Sequence, residues 1–129
     1  MQTEVNKLCA QIIGAAIEVH KHMGPGLLEK VYLKCLCSEL DSLRLSYTVE
    51  QAIPLVYKGT PLDMGFRADL IVENKVIVEL KSVTEMNPLF DAQLISYLTL
   101  SGLPTGLLIN FNVGLLKDGI KRLFPKMID

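Results

Sequence analysis

The stretch from Leu62 to Lys81 constrains the fold more than any other part of this chain. Leu62, Met64, Phe66, Ala68, Leu70 and Val72 alternate with Asp63, Gly65, Arg67, Asp69, Ile71 and Glu73, the period of a strand with one core face and one largely polar face. "ENK" interrupts the pattern, and "VIVELK", residues 76–81, reads as the returning strand of a hairpin. Glu79 and Lys81 are two apart and share a face, with Leu80 turned the other way. Whether Asp69 joins them depends on the turn. If Val72 pairs with Val76 around a three-residue loop, Asp69 falls opposite Glu79 on the same face. A two-residue Asn74-Lys75 turn separates the carboxylates, because a one-residue slip inverts every side chain.

With the three-residue loop, the two carboxylates repel, and ionising both is costly unless a cation sits between them. A hard, oxygen-ligated ion such as Mg2+ or Mn2+ suits such a pair. Lys81 beside that ion would hold a water or offset charge growing on a phosphoryl oxygen, as in metal-assisted hydrolysis.

Around the hairpin, Val5, Leu8, Cys9, Ile12, Ile13, Ala16 and Val19 recur at helical spacing over residues 3–22, and Gly24-Pro25 stops that helix. A second helix is predicted from 27 to about 43, with Gly26 in the cap position. Residues 47–57 form a strand whose Pro54 suggests an edge or a bulge. Asn87 and Pro88 start a third helix running to about Leu100. "TGLLINF", 105–111, is a buried strand, and one more strand is predicted around an Asp118-Gly119 turn. The order predicts an α/β or α+β fold, a mixed sheet with helices packed against it. At 129 residues the chain is long enough for one core and is expected to be one domain, 1–129.

The net charge of −1 offers no global positive field, which speaks against a simple nucleic-acid coat protein but leaves a nuclease open, since its carboxylates are neutralised when metal arrives. Three cysteines, Cys9, Cys35 and Cys37, make no closed disulfide framework, so a reducing, cytoplasmic setting is expected. Glu4, Lys7 and Glu18 in the first helix fit neither a signal peptide nor a membrane anchor, and "SGLPTG" breaks the uncharged run from 92 to 116. A mean hydropathy of +0.33 in so short a chain hints at apolar surface left for an oligomer interface.

"RADLIVENKVIVELK" resembles the core motif of the PD-(D/E)XK nuclease superfamily, with Asp69, Glu79 and Lys81 as its aspartate, glutamate and lysine and Ala68 in place of the proline. "GLLEKVY", Gly26 to Tyr32, is similar to the GxxExxY signature of a small family within it, and "QLISY", Gln93 to Tyr97, resembles the QxxxY element of its RecB-like branch. The resemblance spans nearly the whole chain. It implies a restriction-endonuclease-like core and metal-dependent hydrolysis of phosphodiesters, in DNA ahead of RNA. Asp69, Glu79 and the Leu80 carbonyl would hold Mg2+ or Mn2+, and Glu29 would add to that ion or a second one. Lys81 would orient the attacking water, and Gln93 and Tyr97 would support the site. A homodimer or a partner protein is the simplest source of substrate selection. The rival is a silent module that keeps the fold and binds nucleic acid or a partner without cutting.

Several of these residues have plainer readings. Glu29, in the third position after a Gly26 cap, would gain roughly 0.3 to 1 kcal/mol from the helix N-terminus without binding any ligand. Arg67 suits a phosphate or an ion pair with Asp63 or Glu79. His20 fits a satisfied core histidine better than a metal ligand, His22 is expected in solvent, and Lys117, Lys121, Arg122 and Lys126 read as a solvated basic face ahead of a phosphate track.

Overall fold

The computed structural model describes residues 2–127, with side chains throughout that range except at 63 and 64. Helices α1 (Gln2–Met23) and α2 (Glu29–Ser42) precede strands β1 (Tyr47–Tyr57), β2 (Thr60–Val72) and β3 (Val76–Lys81); helix α3 (Pro88–Ser101), strand β4 (Thr105–Asn110), a 3-10 turn (Leu116–Gly119) and strand β5 (Ile120–Leu123) follow. The strands form one sheet in the order β1-β2-β3-β4-β5. Only β3 and β4 run parallel, joined through α3. The sheet is mixed, as the element order predicts.

Every residue of β4 and all of β3 except Lys81 are buried. A parallel pair covered on both faces needs such unbroken apolar runs. On one face Leu70, Val72, Val78, Leu80, Leu107 and Ile109 pack with Ile12, Ala16, Tyr32 and Leu36 of α1 and α2. On the other, Ile71, Ile77 and Leu108 meet Leu94, Tyr97 and Leu98 of α3. Asn87 caps α3 by accepting from Leu89 N–H at 2.9 Å, with Pro88 at the first helical position.

The β2–β3 turn takes the three-residue form, with Val72 paired to Val76. Its conformation is costly, since Glu73 and Asn74 have φ of 53° and 52°, and it is held from outside. The Glu73 carboxylate accepts from the backbone N–H and hydroxyl of Ser46 at 2.6 and 2.7 Å, and Glu73 N–H donates to the Ser46 carbonyl at 2.8 Å. The α2–β1 connection thus clamps the loop that sets the register.

Two expectations need correction. The core face of β2 does not run its whole length: Leu62 is 44 % exposed, and Phe66, although its ring meets Tyr97 of α3, is 37 % exposed. Ile71, placed on the polar side by alternation, is buried under α3. The last strand is present as expected, β5, entered through a 3-10 turn that contains Asp118 and Gly119; Gly119 lies so close to the Asn110 carbonyl that no side chain fits there. Pro54 does lie on an edge strand, at a register shift between Ile53 and Leu55.

Candidate active site

The regular β2–β3 pairing ends at Leu70 opposite Val78. Continuing the register sets Asp69 opposite Glu79, and from there the carboxylates replace the backbone ladder. Glu79 Oε2 accepts from Asp69 N–H at 2.7 Å, and Asp69 Oδ2 accepts from Leu80 N–H at 2.8 Å. Within a strand the N–H and C=O of one residue point to the same edge. The Leu80 carbonyl therefore faces the gap that Asp69 occupies, whereas the Lys81 carbonyl is taken by Phe111 N–H on the β4 side.

Glu79 is only 7 % exposed. Burial, then the charge of Asp69, pushes its carboxyl up to about 8. Burial likewise raises Asp69, helped by Glu29 and Glu50 and opposed by the Leu80 N–H and Lys81. Neither acid has an ion-pair partner among the described residues. The Lys81 ammonium, near enough to ease both, lies 4.2 Å from the centre of the Phe90 ring, a cation–π contact that parks it beside the carboxylates without neutralising them.

Helix α3 brings Tyr97 to this cluster. Its ring packs on Phe66 at 4.9 Å, and burial, then the charges of Glu79 and Asp69, raises its hydroxyl. Gln93, one turn earlier, is half-buried, and its side chain makes no hydrogen bond among the described residues. Glu29 comes from the opposite layer. It is exposed at the first residue of α2, so the plainer reading of it as the third position after a Gly26 cap is incorrect: Leu28 is the N-cap residue, without a side-chain cap. Its charge nevertheless reaches Asp69 and Glu79. Among the described residues no three His, Cys, Asp or Glu side chains are gathered around one point. The structure thus joins Asp69 and Glu79 closely, sets Lys81 and Tyr97 beside them, and leaves Glu29 at the rim.

A family model of the PD-(D/E)XK nuclease superfamily matches residues 6–123. The chain belongs to the PD-(D/E)XK nuclease superfamily. No curated protein and no solved structure matched it. The α+β architecture is consistent with the restriction-endonuclease-like fold, and among the described residues no helix is long and apolar enough to cross a membrane.

In this PD-(D/E)XK chain the donor set suits a hard divalent cation: two carboxylates and a carbonyl directed at one gap, with protonation favoured on Glu79 when no cation is there. The tyrosine that ends "GLLEKVY" has a supporting task. Tyr32 is fully buried against Phe111, with ring centres 4.3 Å apart; its hydroxyl donates to the Gly24 carbonyl at 2.6 Å and accepts from Leu27 N–H at 3.1 Å. It holds the turn in which Gly24 and Gly26 adopt φ of 68° and 95° and from which Glu29 emerges. Ser82, just past Lys81, donates to the Leu27 carbonyl at 2.6 Å and ties that turn to β3. Tyr32→Phe keeps the ring but strands both backbone groups. It should cost about 1 to 3 kcal/mol in urea unfolding, whereas an unchanged midpoint would show that water replaces the hydroxyl.

Other residues do not stand out in the sequence. Glu50 lies opposite Asp69 on β1 at φ 53°, its carbonyl held by Arg67 Nη1 at 3.0 Å; Arg67 is thereby accounted for by a backbone contact, while the Asp63 side chain falls outside the described residues. Asn110 is 3 % exposed; its side chain accepts from Val83 N–H and donates to the Val83 carbonyl, fixing the chain just after Lys81. An asparagine ending an apolar strand was the available signal for it; nothing in "TVEQAI" marks Glu50. His20 Nε2 lies 2.9 Å from the Val113 carbonyl oxygen, and His22 is exposed beside Glu18. Of the C-terminal basic residues, Lys121 pairs with Asp91 and Arg122 reaches Asn6 and Thr105.

Proposed function

We propose that this chain is a divalent-cation-dependent nuclease of the GxxExxY group, hydrolysing phosphodiesters in DNA ahead of RNA. One observation carries this: a buried Glu79 lies beside a half-buried Asp69 with no ion-pair partner among the described residues, and the pair is electrostatically unfavourable. Asparagine and glutamine would supply the same acceptors without buried charge. Carboxylates retained at such a place have a cation as their natural partner.

Asp69, Glu79 and the Leu80 carbonyl would hold Mg2+ or Mn2+, with Glu29 closing the site from the α2 side. Such an ion, when bound, would supply Lewis acidity toward a water and the phosphoryl oxygen. Lys81 donates hydrogen bonds, orienting the attacking water and offsetting charge that grows on the phosphate. Tyr97, and Gln93 one turn before it, brace the lysine or the scissile strand. A second copy of the chain or a partner protein supplies substrate selection.

The silent-module reading draws on the position of Glu29 at the rim, outside any assembled ligand set. Calorimetric titration with Mg2+ and Mn2+, followed by incubation of wild type and Lys81→Ala with single-stranded DNA, duplex DNA and RNA, separates the two. The nuclease reading expects metal binding by both proteins and cleavage by wild type alone. Metal binding with no cleavage by either would leave the module.

A further inference from the structure

We propose that the groove between α2 and β1 is a subsite for a single nucleic-acid strand flanking the scissile phosphodiester, with its phosphates on Lys30 and Lys34. The proposal rests on the nuclease reading and adds where the substrate lies. The groove has a volume of about 520 Å³, within the range that holds a small organic ligand and so room for a nucleotide of one strand.

Three features favour this occupant. Lys30 and Lys34 both line the groove and lie one helical turn apart, about 6 Å along the axis, a spacing suited to consecutive phosphates. Neither is in an ion pair among the described residues, whereas Lys75 and Lys121 are. Between the ammonium groups and β1, Leu33, Cys37 and Val49 form an apolar lining, with Val49 45 % exposed, a surface for a base or sugar face.

The groove also leads to the carboxylates. Glu50 lines its end and lies opposite Asp69 across the β1–β2 pair. Lys30 adjoins Glu29 and shares a second hollow with it and with Ser82, the residue after Lys81. A strand along α2 would therefore run into the gap between β2 and β3. The acids that line the groove are Asp41, engaged by the Tyr47 hydroxyl at 2.8 Å, and Glu50, at the end where a cation would bind.

The test titrates a fluorescent single-stranded oligonucleotide with the full chain, wild type and Lys30→Gln/Lys34→Gln, by anisotropy at several salt concentrations, in chelator and in Ca2+. Both substitutions are at exposed positions, and circular dichroism checks the fold. The double variant should bind about tenfold more weakly at low salt, and its slope of log affinity against log salt should be smaller by about 1 to 1.5, the loss of two phosphate contacts. Its calorimetric Mg2+ affinity should be unchanged. Equal affinity and slope in the two proteins, or no oligonucleotide binding by wild type, would overturn the proposal. Binding that drops in the double variant while wild type cuts nothing would keep the groove and remove the hydrolase.

Discussion

Replacing Lys81 by methionine is expected to lower the rate of phosphodiester cleavage by about 10² to 10³, the usual cost of deleting one group that stabilises charge in the transition state. Methionine keeps an apolar stem to pack on Phe90, so folding should change little. Because Lys81 eases ionisation of both carboxylates, its charge opposes an incoming cation. Calorimetric affinity for Mg2+ or Mn2+ should therefore hold or rise while the rate collapses. Glu79→Gln should do the reverse at the first step, losing cation affinity and with it cleavage by at least about a hundredfold. The double variant should be no worse than the poorer single one, because in the proposed reaction both residues act in one step. Loss of cation affinity in Lys81→Met would make the lysine a structural support for the site.

The metal-free protein should lose stability as pH rises from about 5 to about 8. Glu79 ordinarily titrates near 4.5 and is pushed up to about 8 in the fold, chiefly by burial and next by Asp69. Between those values the native state keeps a proton that the unfolded chain has released, so the stability contribution is fully present below about 4.5 and is lost as pH passes through about 8. The shift corresponds to something on the order of 4 kcal/mol. Asp69 is displaced in the same direction. Glu73, held low by its Ser46 hydrogen bonds, acts with the opposite sign, but below its ordinary value and outside this window. Urea unfolding in chelator across pH 5 to 8.5 measures the decline. Glu79→Gln should flatten most of it and be more stable than wild type at pH 8, a gain in stability bought with function. Saturating Mg2+ should flatten the wild-type curve, since the cation binds the deprotonated pair. A wild-type profile that stays level or climbs in chelator would mean that Glu79 and Asp69 are not an unfavourable pair.

Much of the fold was legible because it rests on local periodicity. The limits of β1 and β3 follow from β-branched runs and their breakers, and α3 starts at the asparagine and proline that mark it. Where the reading failed, long-range packing had overridden local pattern. Alternation along β2 cannot reveal that helices cover only part of the strand, nor that α3 buries Ile71. A glutamate in a first turn looks like a cap, and only the path of the chain through Leu28 shows that it does not sit in the capping position.

The site divides along the same line. Sequence alone determined the chemistry available on the hairpin, an aspartate on one strand and Glu-x-Lys on the next, together with the face that Glu79 and Lys81 share, because strand pleating has a strict period of two. It left the turn open between two lengths. Tertiary structure chose the longer one through the Ser46 clamp on Glu73, and that choice set Asp69 opposite Glu79. It also brought Glu29 around from the other layer through Tyr32 and Ser82, and set Glu50 across from Asp69. These placements depend on contacts between residues far apart in the chain, and local propensity carries no information about them.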